Sequence, residues 1–300
     1  MALLSSYSAG HFEFALDGGP PTTFVRSIEG GTTKRNFTSE AIGTDNQPIK
    51  HATSNEHEPF TVEIGLSAAR DVMRWARSTW RKEGTRRNGM VVHGDFTKKS
   101  RNTQAFCDAV LLELGFPALD ANAKDSGYLK VKFMPEEVET VPSPGVAMGG
   151  VTNPLQKGWQ TSAFRLSVDG VPLFGINKIE AFTIKHSFSP LATGRDGVAE
   201  LVPHKIEFPN LIVHMSAANA APVRAWHEVS KRGPDFAGYT GCLEFLDPTR
   251  TFPLFRLNLA DINIVDCNFV RAEASAEAIK RVRFELSIGS MDVDDISGMM

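Results

Sequence analysis

Eight histidines and three cysteines are the residues of this 300-residue chain best equipped for reaction chemistry. Histidine offers acid–base and metal-ligand chemistry near neutral pH, and cysteine offers a nucleophile or a soft ligand. Their spacing organises neither. There is no HExxH, and no His/Cys group has the spacing of a zinc site. Cys107, Cys242 and Cys267 contain no CxxC pair, and they read as small buried hydrophobes in a chain made in a reducing cytoplasm. His51 and His204 occupy corresponding places in the two halves of the chain and read as loop or turn residues with local hydrogen bonds. Gly30-Gly31 opens neither GxGxxG nor GxxxxGKS/T, and the stretch from Gly84 to Gly89 lacks the Lys-Ser/Thr of a phosphate loop. No GxSxG nucleophile elbow occurs. The expectation is therefore no catalytic residue, no metal, no cofactor and no enzyme activity.

One set of polar residues has a pattern. Lys34, Lys130 and Lys132 match Lys185, Arg281 and Arg283, and they alternate with Val131, Phe133, Val282 and Phe284. Such alternation gives a strand one apolar and one cationic or polar face. That polar face is either a solvated sheet surface, or one that lines a channel or pairs with acidic groups of neighbours.

The elements that would position these residues occur twice. Phe12-Glu-Phe-Ala-Leu-Asp-Gly18 returns as Phe164-Arg-Leu-Ser-Val-Asp-Gly170, an alternating strand ending in an Asp-Gly turn. Ile28-Glu29 with Thr32, Lys34 and Phe37 returns as Ile179-Glu180 with Thr183, Lys185 and Phe188. A helix with Ala69, Val72, Met73, Ala76 and Trp80 on one apolar stripe follows, and its Trp75 returns as Trp226. Both tryptophans read as core residues, and Ser67 and Ser216 as N-caps. Gly89–Asp95 matches Gly241–Asp247, and Lys130–Phe133 matches Arg281–Phe284. The shift is 151 positions both from Trp75 to Trp226 and from Phe133 to Phe284. A register kept across every element indicates one domain written twice.

The stretch from Pro142 to Pro154 is rich in Pro and Gly and reads as a linker. The expected organisation is a first domain over 1–141, a linker over 142–158, a second domain over 159–291 and a short acidic tail over 292–300. One helix among many strands predicts a mainly β, α+β fold: two tandem small antiparallel barrels or sandwiches, each with one flanking helix. Each half also carries a long polar insertion after its second strand, near 39–58 and 189–203, which reads as a long loop used as a binding or assembly arm. Its candidate residues are Gly43, Thr44, Asp45, Asn46 and Gln47 in the first copy and Gly194, Arg195, Asp196 and Gly197 in the second.

Net charge is −3, which favours neither nucleic acid nor a membrane surface as partner. The opening Met1-Ala-Leu-Leu-Ser-Ser has no basic region and too short an apolar run for a signal peptide, and no stretch reaches the roughly 20 apolar residues of a membrane span. The expectation is a chain made in the cytoplasm that does not insert in a membrane.

The order of these elements resembles the tail tube protein family of contractile phage tails and related injection systems, which is also similar to the type VI secretion tube protein. Tyr7–Phe14, Val25–Gly31, the insertion, the Trp75 helix and the closing Leu129–Pro135 stretch carry the resemblance. It implies a small barrel with a flanking helix, six of which close a ring around a channel, with the insertion touching the next ring. Three copies of a two-domain chain would supply six domains in a pseudo-sixfold ring. The implied partners are the chain itself, sheath, tape-measure and baseplate or hub proteins, and a DNA or protein cargo, within a virion tail or injection particle. An adaptor ring between a threefold spike and the tube is the alternative, and a ligand-binding barrel a remote one.

Overall fold

The computed structural model describes residues 10–22, 24–42, 47–83, 86–143, 145–149, 159–191, 200–231, 238–269 and 281–294. The first half contains β1 (His11–Leu16), β2 (Val25–Glu29), β3 (Thr33–Ile42), β4 (Gln47–His57), β5 (Phe60–Gly65), α1 (Arg70–Trp80), β6 (Arg87–Gly94), β7 (Ser100–Phe116), β8 (Leu119–Asp120), β9 (Tyr128–Met134) and β10 (Glu137–Pro142). The second contains β11 (Phe164–Val168), β12 (Ile176–Ile179), β13 (Phe182–Leu191), β14 (Glu200–Glu207), β15 (Leu211–Ser216), α2 (Ala221–Ser230), β16 (Tyr239–Leu246), β17 (Pro253–Phe269), β18 (Arg281–Ser287) and β19 (Ser290–Val293). The fold is α+β, dominated by antiparallel strands, with two α-helices among the described residues.

Alternation in the sequence becomes two-faced strands. On β5, Phe60, Val62 and Ile64 are buried; on β9, so are Leu129, Val131 and Phe133. The main sheet of the first half runs β1-β6-β7-β9-β5-β2, and that of the second runs β11-β16-β17-β18-β15-β12. The orders correspond strand by strand. In the first half Phe14 and Thr22 exchange backbone hydrogen bonds of 3.0 and 2.9 Å, which bring the chain before β2 back against β1 and roll the sheet nearly into a barrel. Phe14, Phe60, Phe106 and Phe133 fill it, with Phe106 and Phe133 ring centroids 4.8 Å apart, and Trp75 of α1 packs on Phe133 at 5.7 Å.

The long strands β7 and β17 bend at Asp108 and Asp261, each with a φ near +50° in the left-handed region where aspartate is tolerated better than most residues. Residues up to the one just past the bend pair with β6 or β16, and residues farther on pair with β9 or β18. The bend thus lets one strand serve two parts of a rolled sheet.

Several expectations are corrected. The helices start at Arg70 and Ala221 after single 3-10 turns, and their N-cap positions are held by Ala69 and Ala220, not by Ser67 and Ser216. Pro222 in the first turn suits α2, because its missing N–H is one the helix would leave unpaired. The insertions are not loops but β-hairpins, β3–β4 and β13–β14. Cys107 is exposed, and Cys242 and Cys267 are half-buried. The expected linker begins on the first half: Val146 accepts a backbone hydrogen bond from Ser100, and Ala147 bridges to Lys99. The expected acidic tail begins inside β19, which pairs with β17 through Val293.

The closing strands also register differently. Phe60, first in β5, faces Phe133, whereas Leu211, first in β15, faces Leu286. The counterpart of Phe133 is therefore Leu286, a shift of 153 and not 151. Lys130 then corresponds to Arg283, and Lys132 to the acidic Glu285.

Candidate assembly surface

The two halves are joined through backbone. Beyond its bend, β7 pairs with β9 on one edge and with β13 of the second half on the other, placing Phe116 opposite Phe182, Gly115 opposite Thr183, Leu114 opposite Ile184 and Glu113 opposite Lys185. Strand β8 pairs with β12 beside it. Phe116 is 2% exposed. Its ring also lies 5.5 Å from Phe245, so the first half inserts an aromatic into the core of the second. Around this joint Trp80 of α1 meets Phe208 edge-on at 6.1 Å. Arg81 donates from Nε to both oxygens of Asp292 at 3.3 and 3.2 Å, and from Nη2 to one of them. Arg86 reaches the Leu201 carbonyl at 3.3 Å. His186 is buried here, and that burial, together with repulsion from Lys82, holds its pKa below the usual histidine value.

The proposed polar faces form cross-strand rows. Thr61, Lys132, Glu113, Lys185 and Glu207 face one another in sequence across β5, β9, β7, β13 and β14, so the row passes through the joint from one half to the other. Lys132 Nζ is 3.4 Å from Glu113. Lys130 lies one row away, opposite Glu63 and Gly115. In the second half Asp120, Lys178, His214, Arg283 and Asn268 face one another across β8, β12, β15, β18 and β17. His214 Nε2 is 2.8 Å from Glu180, which is also 4.0 Å from Arg283. Arg281 is exposed at the start of β18, opposite Ser216. The row through the joint thus alternates in charge, and opposite charges set directly across strands stabilise the sheet modestly, whereas the second row sets Lys178, His214 and Arg283 side by side.

Lys34 sits on the first hairpin, 2.6 Å from Glu58, which also accepts from Thr32. The hydrogen bond to Glu58 raises the Lys34 pKa and lowers that of Glu58. Thr33 Oγ1 and His57 Nδ1 lie 3.0 Å apart across the same hairpin. His51 and His204 lie exposed on β4 and β14 rather than on loops. Gln47 begins β4; Gly43, Thr44, Asp45, Asn46, Gly194, Arg195, Asp196 and Gly197 lie outside the described residues. The hairpins differ in attachment. β13–β14 joins the first sheet through β7, while β3–β4 forms a two-stranded sheet by itself.

Sequence reasoning missed Phe116 and Phe182, which make the joint, and a pair of turn staples. Asp95 accepts from the Thr97 hydroxyl and amide, the Lys99 amide and Arg101 in the β6–β7 turn. Asp247 does the same for Thr249, Thr251 and Phe252 in the β16–β17 turn. The Asp-x-Thr signature in both copies was the available signal. Among the described residues no three His, Cys, Asp or Glu side chains are grouped to hold a metal ion, and no helix is long and apolar enough to cross a membrane.

No family model matches the sequence, and no curated protein matches it either. Solved structures do. Those similar to this chain include tube, cap and baseplate assemblies. The tube-terminating cap of the anti-feeding prophage is 14% identical with a TM-score of 0.39, covering 48% of this chain and 95% of its own. The sheath–tube complex of the extracellular contractile injection system PVC, in its extended state, is 12% identical with a TM-score of 0.37, covering 44% and 87%. The baseplate of the anti-feeding prophage is 13% identical with a TM-score of 0.35, covering 45% and 92%.

Proposed function

We propose that this chain is a structural subunit of a tail-tube-like conduit, in which three copies close a pseudo-sixfold ring of six similar domains and rings stack into a hollow tube. The observation that supports it best is the joint itself. A sheet that passes from one domain into the next through β7 and β13 already makes one of the domain-to-domain contacts such a ring repeats. The resemblance of the element order to tail tube proteins points the same way. The two hairpins supply the axial contacts to neighbouring rings, and the rows of charged residues supply a hydrated wall for a DNA or protein cargo. Sheath, tape-measure and baseplate proteins are the outer and end partners, in a virion tail or injection particle, and the chain does no catalysis.

Electron microscopy of the purified chain tests this. Hollow tubes with three chains per ring support the reading, and short isolated rings turn it toward the adaptor role. A monomer at every concentration overturns it. Excising 39–50 and rejoining Thr38 to His51, which face each other in the hairpin, through an Asn-Gly turn should leave rings that no longer stack.

A further inference from the structure

The joint between the halves has a counterpart at each end of the chain that is left open. By hydrogen-bond register the shift from the first half to the second is 151 along β3 and β13, where Lys34–Glu56 corresponds to Lys185–Glu207. It is 153 along β7 and β17, where the bends at Asp108 and Asp261 correspond. The counterpart of Phe116, at 2% exposure, is Phe269, at 59%. From Asn263 onward β17 pairs with β18 on one edge, and among the described residues nothing pairs with its other edge, the one β7 gives to β13. The start of β3 pairs with β4 alone, whereas the start of β13 pairs with β14 and β7. A free strand edge beside an exposed aromatic is a template for another strand.

We infer that a second copy of this chain fills this place: β3 of one copy adds antiparallel to the end of β17 of another. Transferring the internal joint puts Gly31 opposite Phe269, Thr32 opposite Asn268, Thr33 opposite Cys267 and Lys34 opposite Asp266. Two observations argue for this occupant. The last pair is oppositely charged, as Lys185 and Glu113 are at the internal joint. A groove of about 740 Å³ runs between α2 and the end of β17, lined by Ala221, Arg224, Ala225, Lys231 and Phe269 among others. Phe37 on β3, 60% exposed, is the apolar side chain that fits it, since its counterpart Phe188 is already half-buried. This deepens the ring reading and rests on it only for the number of copies.

The register makes the test direct, because position 267 is already cysteine. The full chain carrying Thr33→Cys is oxidised with a mild thiol oxidant and its disulfides are mapped by peptide mass spectrometry, while native mass spectrometry counts the chains. An interchain 33–267 disulfide in most chains, and none to position 38 in Thr38→Cys, is the expected result. Rings that form without the 33–267 link, or a chain that stays monomeric, overturn the joint. The link in closed assemblies of a number other than three keeps the joint and overturns the three-copy ring. As a second arm, Phe269→Asp should raise the concentration needed for assembly at least tenfold in sedimentation velocity while leaving the melting curve of the free chain in place. Unchanged assembly also overturns the proposal. The reversed pair Lys34→Asp with Asp266→Lys should recover part of the assembly that either change alone removes.

Discussion

Phe116 and Phe182, from different halves of the chain, stack with ring centroids 4.7 Å apart and planes 15° from parallel. Each ends or begins a strand, so the contact clamps the β7–β13 pairing at its edge. Truncating Phe116 to Ala removes a buried ring and should cost about 3–5 kcal/mol. Phe269→Ala, at the corresponding exposed position, should move the free chain by less than about 1 kcal/mol. Urea denaturation of the two variants, at concentrations where the chain is unassembled, checks the contrast. Equal losses would mean that the joint does not hold the halves together.

The turn staples set an acid limit. The Thr249 hydroxyl, with the amides of Phe252, Thr251 and Thr249, pulls the Asp247 carboxyl down to about 2. The Thr97 hydroxyl leads the same effect on Asp95, outweighing the opposing influence of burial. Both folded values lie below the unfolded aspartate value of about 3.9, so the stabilisation is fully present above roughly pH 4 and drains away as pH falls toward the folded values. Asp95→Asn with Asp247→Asn should therefore weaken the fold at pH 7, and by a smaller but still measurable margin near pH 2.5, which lies above both folded values. Thermal melts of parent and double variant at the two pH values measure this, and a gap of the same size at both rules the staples out as its source.

His186 sets a milder limit at the joint. Its folded pKa is lowered by burial, with Lys82 adding to the effect. His93, which burial also lowers, acts in the same direction. A base whose pKa is lower in the folded than in the unfolded state makes stability fall as pH drops below the unfolded value of about 6.5. His186→Leu should flatten part of the stability loss between pH 7.5 and 5.5, read by chemical denaturation at both ends, and leave the share due to His93. A slope identical to the parent's would show that His186 is not buried as described.

Gly30 turns the chain between β2 and β3 at a φ of +88°, where a Cβ would overlap the Pro59 carbonyl oxygen. Gly30→Ala should cost about 1–3 kcal/mol or more. Ala181, its counterpart, stays out of the left-handed region. Ala181→Gly should therefore change stability by less than about 1 kcal/mol. Paired melts of the two variants test whether the two copies have diverged in backbone here, as their sequences have.

Much of the fold was legible because apolar residues recur at every second position and because the elements recur in order. The same period hid the register of the closing strands. A slip of two residues returns every side chain to its original face, so Lys130–Phe133 matches Arg281–Phe284 as well as it matches Arg283–Leu286 by alternation alone. Only the strands on either side, through Phe60 and Leu211, decide it. The first arm read as a loop because Thr33 to Ser39 of β3 are all exposed, with no buried apolar face that would mark the segment as β. Its pairing is carried by backbone, in the run from Thr33–His57 to Ile42–Gln47, and backbone hydrogen bonds leave little trace in side-chain type. The joint was invisible for another reason. Phe116 and Phe269 occupy matching places, and nothing local to either residue tells which is covered.

The pairing of β7 with β13 has a consequence for mass action. It places every second domain contact of the proposed ring within one covalent chain, where the partner's effective concentration is set by chain geometry and not by dilution. A ring of three such chains forms in proportion to about the cube of the free-chain concentration, against about the sixth power for a ring of six separate domains. Half of the ring's contacts survive any dilution that the fold itself survives, and the decision between dispersed chains and closed rings falls to the other half alone.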